Sequence, residues 1–243
     1  NYFLEHAHKY LTGQIGSLWD APFMYPEEKV LSYSDNLIGT APFYSIFRLS
    51  GFDRETSYQL WFITLAALAF ICCYYLLILI FKDIYAAAIG AFIFAFSIAL
   101  QSQFTHAQTF PRFPVPLAFA MFIIFTRNFR PLFFFLSVLM VVYQLYCGIY
   151  LGLMLIIPML IFIILFCIYE WKNIIAHFSN LSWFLKMILA LVINILISLP
   201  LVLPYIARSK MVGMNDFQYV LPTVPTPVSH FYSQPGSLIW DFL

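Results

Sequence analysis

The stretch YQLWFITLAALAFICCYYLLILIF, residues 58–81, decides the class of this protein. It contains no charged side chain from its first residue to its last. An α-helix rises about 1.5 Å per residue, so a run of this length covers a hydrocarbon core of about 30 Å. The stretch therefore predicts a helix that crosses a membrane.

The composition of the whole chain agrees with that prediction. Hydrophobic residues make up 63% of the 243 residues and charged residues only 9%, whereas soluble domains are roughly half apolar and about one quarter charged. The chain is therefore predicted to be a polytopic membrane protein. Its net charge of +1 provides no basic stripe that could neutralise the phosphates of a duplex, so no nucleic-acid partner is expected.

Further charge-free runs follow the first span. A second span is predicted from Ile84 to about residue 100, and a third over residues 113–126. The uncharged residues between Arg130 and Glu170 are too many for one helix and fit two, with a break at YCGIYLG, and a last span ends near Tyr205. The predicted fold is all-α, with about six spans.

These spans divide the chain into three predicted regions. Residues 1–57 hold most of the acids and form an external head with amphipathic surface helices, and residues 58–206 form the transmembrane body. Residues 207–243 form a further external region. The chain is expected to begin and to end inside a longer protein, because it starts without an initiator methionine and stops without a polar tail.

The distribution of lysine and arginine predicts the orientation. Cytoplasmic loops carry an excess of these residues. If the head is external, the cytoplasmic turns contain Lys82, Arg127, Arg130, Lys172 and Lys186, and the short external loops contain Arg112, Arg208 and Lys210. The head, the loop at residues 101–112 and the tail are therefore expected to share the outer face.

The first helix of the head is predicted from NYFLEHAHKYLTG, residues 1–13. The helical spacing suits an ion pair between Glu5 and Lys9 and puts His6 and His8 on the polar side, where they are expected to be solvated. The helix should lie along the membrane surface. Its predicted apolar face consists of Phe3, Ala7, Tyr10 and Leu11.

The order of the polar motifs resembles a group of bacterial polytopic proteins related to the GT-C glycosyltransferases. The motifs are NYFLEHAHKYL, WDAPFMYP, YSDNLIGTAPFY, HAQTFPRFPVPLAF and VPTPVSHFYSQPGSLIW. The resemblance implies a bacterial inner-membrane protein that uses a polyprenyl-phosphate sugar as donor and has a catalytic Asp in its first large external loop. In the similar proteins a Gly-Asp pair stands just upstream of the position of Asn1, so the strongest candidate for the base is expected before this chain begins.

Within the chain, Asp35 and Asp20 are the catalytic candidates. Glycosyl transfer needs a carboxylate that takes the proton of the acceptor hydroxyl. Asp35, in the triplet Ser-Asp-Asn, could be this base, a metal ligand or an orienting group, but the same triplet is typical of a helix cap. Asp20 follows Trp19, and a turn before Pro22 explains it without a function.

The loop THAQTFPRF contains the candidates for the donor phosphate: His106, Gln108 and Arg112. A guanidinium can form paired hydrogen bonds to a phosphate, and an imidazole can donate to the leaving oxygen or bind a metal. The alternative is that Arg112 extends to lipid headgroups. A divalent metal is possible, with Glu5 and the neighbouring histidines as a weaker candidate cluster, and no nucleotide cofactor is expected because no phosphate-binding glycine motif occurs.

Polar side chains also occur inside the predicted spans. Tyr143, Gln144 and Tyr146 lie near the outer end of one span, and Asn194 and Ser198 lie in the last. Such groups either line a cavity or form hydrogen bonds between helices.

The leading hypothesis is a membrane glycosyltransferase with membrane lipids and a lipid-linked sugar as its partners. The alternatives are a noncatalytic membrane scaffold and a lipid or glycolipid transporter of the same fold. A transporter is expected to bury ionisable residues near the middle of its spans, and these spans contain none there.

Overall fold

The computed structural model describes residues 1–97, 106–213, 218, 221–224 and 226. The chain forms two compact units, Asn1–Ile206 and Ala207–Leu243. Within the described residues the regular elements are helices and no strand occurs, which confirms the all-α prediction for that part of the chain. The α-helices are α1 (Tyr2–Leu11), α2 (Ala41–Leu49), α3 (Arg54–Phe81), α4 (Ile84–Phe96), α5 (Pro114–Asn128), α6 (Pro131–Cys147), α7 (Ile149–Tyr169), α8 (Trp171–Phe178) and α9 (Leu181–Val212).

Four helical segments are long and apolar enough to cross a membrane, which confirms a multi-pass helical membrane protein. They are Arg54–Phe81, Ala107–Asn128, Ile149–Tyr169 and Leu181–Met211. The second of these joins α5 to the 3-10 turn that precedes it. Two shorter apolar helices, α4 and α6, have 13 and 17 residues and occupy the other two predicted span positions. The predicted end of the second span, residues 98–100, lies outside the described residues.

Local signals explain where these helices begin and end. The side chain of Asp53 accepts hydrogen bonds from the N–H groups of Glu55 and Thr56 and so caps α3. Lys82 ends the same helix in a left-handed conformation, with φ 55°. Asp83 then caps α4. These adjacent stop and start signals join α3 and α4 through a tight turn.

Glycine permits the predicted break between α6 and α7. A β-carbon on Gly152 would lie 2.8 Å from the Cα of Leu145, so the two helices cross where only glycine fits. Gly148 is the residue between the helices. The break therefore lies at glycines, because a residue without a side chain lets the neighbouring backbone approach closely.

In the head, α1 packs on α2 and α2 packs on the first turns of α3. Leu4, Ala7, Tyr44 and Trp61 belong to the buried cluster that these helices share. The predicted apolar face of α1 is only partly correct. Ala7 is buried, but Tyr10 and Leu11 are exposed. Helix α2 instead covers the side of α1 that carries Glu5 and His8, because Tyr44 donates to Glu5 and its ring lies edge-on to that of His8. That approach puts polar side chains into the interior.

The opposite end of the helices is closed by aromatic contacts. The indole N–H of Trp183 donates to the carbonyl of Phe129 at 2.6 Å. The ring of Phe129 stacks on that of His177, with centroids 4.4 Å apart. These contacts bring the turn before α6, the amphipathic helix α8 and the start of α9 together. The head and this aromatic cluster therefore lie at different ends of the helices that they terminate.

Candidate functional site

The head contacts the transmembrane helices through residues 34–40, here named the docking segment. Asn36 is 1% exposed, and its side-chain amide donates to the carbonyl of Leu145 at 3.1 Å and to the hydroxyl of Tyr205 at 3.3 Å. The Tyr205 hydroxyl in turn donates to the carbonyl of Ser34 at 2.8 Å. One polar segment of the head thus forms hydrogen bonds to both α6 and α9.

Gly39 lies against the C-terminal end of α6 without room for a side chain. A β-carbon there would lie 2.9 Å from the sulfur of Cys147 and 3.0 Å from backbone atoms of Tyr146 and Cys147. The Gly39 carbonyl accepts the hydroxyl hydrogen of Tyr143 at 2.7 Å. Of the two roles open to Tyr143, the structure shows a hydrogen bond that attaches the head to a helix.

The other polar groups of the spans also form hydrogen bonds within the protein. The Tyr146 hydroxyl donates to the carbonyl of Ile197 at 2.7 Å. Asn194 donates to the carbonyls of Phe135 and Ala190. Ser198 bonds within its own helix, to the carbonyl of Ile195. Tyr146 and Asn194 therefore connect α9 to α6, although Tyr146 also lines a cleft at the edge of the head.

Asp35 lies at the N-terminal end of α7. Its Oδ1 accepts the backbone N–H of Tyr150 at 3.2 Å, and the side chain also receives the N–H of Ile149. The residue is only 4% exposed. Burial raises the pKa of Asp35 above its ordinary value, and the two N–H groups, which lower it, offset only part of that effect. Asp35 therefore caps a helix, but a distant one rather than the helix that follows it in sequence.

The structure brings Asp35 and Gln108 together at Gly148. A β-carbon on Gly148 would lie 3.4 Å from the backbone oxygen of Gln108 and 3.5 Å from Oδ1 of Asp35. The side-chain amide of Gln144 donates to the carbonyl of Pro111 at 2.7 Å. The head and residues 106–112 therefore meet at one end of the helices. Residues 101–105 of the same loop lie outside the described residues.

Arg112 makes its contacts with α4. Its Nη2 donates to the carbonyl of Phe94, and the guanidinium lies over the ring of the same residue, 4.6 Å from the centroid. Its buried Nε has no partner among the described residues. His106 is exposed at the start of the loop. In the described part of the chain, no hydrogen bond or ion pair joins either side chain to Asp35 or Asp20.

A separate cleft of about 580 Å³ opens in the head. It lies between α1, the loop that precedes Pro22 and the start of α3, and we name it the head cleft. Asp20 is the predicted site residue that lines it; Asp35, His106, Gln108 and Arg112 do not. Charges of both signs line the wall of the cleft: Glu5, Lys9, Asp20, Arg54 and Glu55.

Asp20 is an exposed carboxylate held by two short hydrogen bonds. Its Oδ2 accepts the hydroxyl hydrogen of Ser17 at 2.7 Å, and its Oδ1 accepts the backbone N–H of Lys29 at 2.7 Å. These bonds lower the pKa of Asp20, the Ser17 bond most, and the charges of Lys29 and His6 add to the effect. Asp20 therefore remains ionised and oriented while facing solvent.

Glu5 lies on the wall of the head cleft and joins three helices. Its Oε2 accepts the Tyr44 hydroxyl at 2.6 Å and the Arg48 Nε–H at 3.0 Å, and Arg54 Nε lies 3.3 Å from Oε1. Burial raises the pKa of Glu5, but the hydrogen bonds from Tyr44 and Arg48 and the two guanidinium charges lower it further, so the net pKa is lowered.

The predicted ion pair between Glu5 and Lys9 is wrong. Among the described residues the ion pairs of Glu5 are with Arg48 and Arg54, which approach from α2 and α3. Tertiary packing therefore replaced the local partner. Lys9 instead lines the head cleft.

The prediction that His6 and His8 are solvated is also wrong. Both are buried, with 7% and 6% exposure. His6 Nε2 lies 2.9 Å from the carbonyl oxygen of Leu18, which attaches α1 to the loop beside Asp20. Burial lowers the pKa of His8 most. The charge of Glu5 opposes this effect, and the charge of Arg48 adds to it. The two histidines are covered by different elements: α2 covers His8, whose ring lies edge-on to that of Tyr44, and the loop at Leu18 covers His6.

The sequence pattern does not single out Arg54 and Glu55. Charged residues in the first turn of a helix are common, and here they follow the cap Asp53, so they look like part of an ordinary helix start. The one available signal is the concentration of acids in residues 1–57. That signal locates a polar surface without selecting its members.

Among the described residues, no group of three or more His, Cys, Asp and Glu side chains could hold a metal ion. Comparison of the chain with protein-family models, with curated proteins and with solved structures finds no match. A functional proposal therefore depends on the geometry of the head cleft, on the apolar helices and on the order of the sequence motifs.

Proposed function

We propose that the chain is the membrane part of a GT-C-like glycosyltransferase. It transfers a sugar from a polyprenyl-phosphate donor to an acceptor on the extracytoplasmic side of a bacterial inner membrane. The observation that carries the proposal is the head cleft, in which the oriented carboxylate of Asp20 shares one cavity with the cationic groups of Lys9 and Arg54. The apolar helices support a membrane-bound substrate, and the motif order supports the reaction class.

The chemistry requires one proton acceptor and a positive environment for the leaving group. The acceptor hydroxyl forms a bond to the anomeric carbon and gives its proton to a carboxylate. At the same time the bond from that carbon to the phosphate oxygen breaks, and polyprenyl phosphate leaves with the electron pair.

Asp20 is the base in this proposal. It is exposed to the cleft and ionised, and Ser17 and the Lys29 N–H hold its orientation. Lys9 and Arg54 neutralise the phosphate. Arg54 remains reachable in spite of its ion pair with Glu5, because its side chain is 59% exposed.

The docking segment has a supporting role. Because Asp35 faces backbone donors and is buried, it holds the head on α7. The catalytic role of Asp35 and the assignment of His106, Gln108 and Arg112 to the donor phosphate stay predictions. Loss of sugar transfer in Asp35→Asn or in Arg112→Ala would support them, and an unchanged rate in either variant would remove that residue from the site.

The first assay measures sugar transfer by the full-length natural protein reconstituted in lipid vesicles. Asp20→Asn should lower the rate by about 10²- to 10⁴-fold, the range for loss of a general base. Glu28→Gln is the matched control, since it removes one exposed acid of the same head outside the cleft. A rate for Asp20→Asn within twofold of the control would exclude Asp20 as the base. Absence of transfer by the wild-type protein with every polyprenyl-phosphate sugar tested would favour a noncatalytic scaffold.

The second assay compares the binding of polyprenyl phosphate with that of the uncharged polyprenol. The wild-type protein should prefer the phosphate, and Lys9→Gln should reduce the preference. Lys82→Gln, in the turn between α3 and α4, is the control and should retain it. If the wild-type protein binds the two lipids equally, the cations of the cleft do not recognise phosphate and the proposal fails.

A further inference from the structure

Two shallow apolar grooves flank Lys186 on α9. One, of about 210 Å³, lies between α6 and α9; the other, of about 360 Å³, runs along α9 towards its start. Lys186 and Leu189 line both grooves. The other lining residues are Pro131, Leu132, Phe135, Ala190 and Ile193 in the first groove and Leu181, Ser182 and Leu185 in the second.

Lys186 lies near the aromatic end of the helices. It is one turn beyond Trp183, whose indole N–H donates to the carbonyl of Phe129. Exposed Tyr169 and Trp171 lie at the same end, between α7 and α8. Tyrosine and tryptophan concentrate where a bilayer meets water, so this lysine is at the depth of the lipid headgroups. The head cleft lies at the other end of the helices.

In the part of the chain that the structure describes, the charge of Lys186 has no ion-pair partner. Among the described residues the ion pairs are those of Glu5 in the head, and none involves Lys186. Lys186 is exposed, and it lines both apolar grooves. An ammonium group at this depth attracts an anionic headgroup and repels a cationic one.

We propose that Lys186 and its two grooves form a binding site for an anionic diacyl phospholipid. The ammonium group pairs with the phosphate, and the hydroxyl of Ser182, which lines the second groove, donates to it. One acyl chain lies in each groove. The two grooves account for a diacyl lipid, and the unneutralised charge accounts for an anionic one. This site is independent of the glycosyltransferase proposal, since it lies at the opposite end of the helices from the head cleft.

The test uses the purified full-length chain in mixed micelles that contain phosphatidylglycerol and phosphatidylcholine with identical acyl chains. Native mass spectrometry counts the lipids that remain bound. One lysine near the headgroups favours an anionic lipid by about fivefold, and the wild-type protein should show this preference. Lys186→Gln should abolish it. Lys172→Gln is the control and should retain it, because that ammonium lies over the ring of Trp171, 5.8 Å from the centroid.

Three results would overturn the proposal. The first is an unchanged preference in Lys186→Gln, with helical content equal to that of the wild-type protein. The second is an equal loss in Lys172→Gln, which would indicate a diffuse basic surface. The third is displacement of the bound lipid by glycerol phosphate at equal concentration, which would show that the acyl chains and their grooves contribute nothing.

Discussion

Asp20 and Asp35 belong to the same head, but their surroundings change their acidity in opposite directions. Asp20 is exposed, and hydrogen bonds from Ser17 and Lys29 lower its pKa. Asp35 is buried at the start of α7, and burial raises its pKa although Tyr150 and Ile149 donate to it. Both carboxylates receive two hydrogen bonds. The main difference is therefore solvent, which remains around one charge and is excluded from the other, and the charges of Lys29 and His6 add to it at Asp20.

This comparison separates two jobs that the same residue type performs. An exposed, oriented and ionised carboxylate is available to a substrate. A buried carboxylate at a helix end has its acceptor positions directed at the protein. We infer that the loop before Pro22 serves the chemistry and that the docking segment serves the assembly, and three stability measurements test this division.

The largest effect on stability is expected from Gly39→Ala. The new methyl group would meet backbone atoms of Tyr146 and Cys147, which cannot move aside as a flexible side chain can. Overpacking of this kind costs about 1–3 kcal/mol in the free energy of unfolding. The measurement is thermal unfolding in detergent. Gly16→Ala is the control in the cleft loop, where a β-carbon meets nothing within 4 Å, and it should change stability by less than about 0.5 kcal/mol. Equal effects of the two substitutions would show that the docking segment is not tightly fitted.

A smaller loss is expected from Asn36→Ala. The substitution removes the donor to Leu145 and the acceptor for the N–H of Ile38, and it leaves a buried carbonyl and a partly buried N–H unpaired. The expected cost is about 2 kcal/mol in the same measurement. Ser17→Ala, which removes an exposed hydrogen bond to Asp20, should cost less than about 0.5 kcal/mol. A loss for Ser17→Ala that matches that of Asn36→Ala would contradict the division between the two regions.

The smallest effect is a difference in pH dependence. A raised native pKa means that protonated Asp35 favours the folded state, so wild-type stability relative to Asp35→Asn should fall as pH rises from the ordinary value of 3.8 through the raised pKa. Because the pKa of Asp20 is lowered rather than raised, its effect on stability changes with pH in the opposite direction. Wild-type stability relative to Asp20→Asn should fall as pH drops below 3.8 through the lowered pKa. Unfolding curves at a series of pH values measure both slopes, and slopes of the same sign would refute the comparison.

The fold was more predictable than the site, and particular residues show why. The first predicted span, residues 58–81, agrees with α3 except for one additional turn at its start, because charges mark both of its ends. The glycines of YCGIYLG located the break between α6 and α7 correctly. The face of α1 was predicted less well. Tyr10, which was expected on the buried face, is exposed, and His8, which was expected to be solvated, is buried after α2 packs on the helix. The sequence pattern of a helix shows where its apolar side chains lie, but the element that packs against the helix decides which of its faces is buried.

The candidate site depends on contacts between residues that are far apart in sequence. Asp20 was a catalytic candidate that a turn could also explain, and its neighbours in the head cleft, Arg54 and Glu55, had no signal of their own. Asp35 was identified beside a local cap motif, but its partner is Tyr150. No spacing rule relates such positions, because the distance between them is set by the path of the helices.

By itself, the sequence determined that this chain is a helical multi-pass membrane protein, where its turns lie, and which segment stays polar. Each of these depends on transfer of side chains or backbone between water and an apolar medium, a cost that adds up along the chain. Only the tertiary structure decided that the docking segment is buried, that Glu5 pairs with Arg48 rather than Lys9, and that Asp20 faces a cleft. The physical reason is that a buried polar group takes whichever partner the packed helices bring within hydrogen-bond distance, and that partner is rarely its neighbour in sequence.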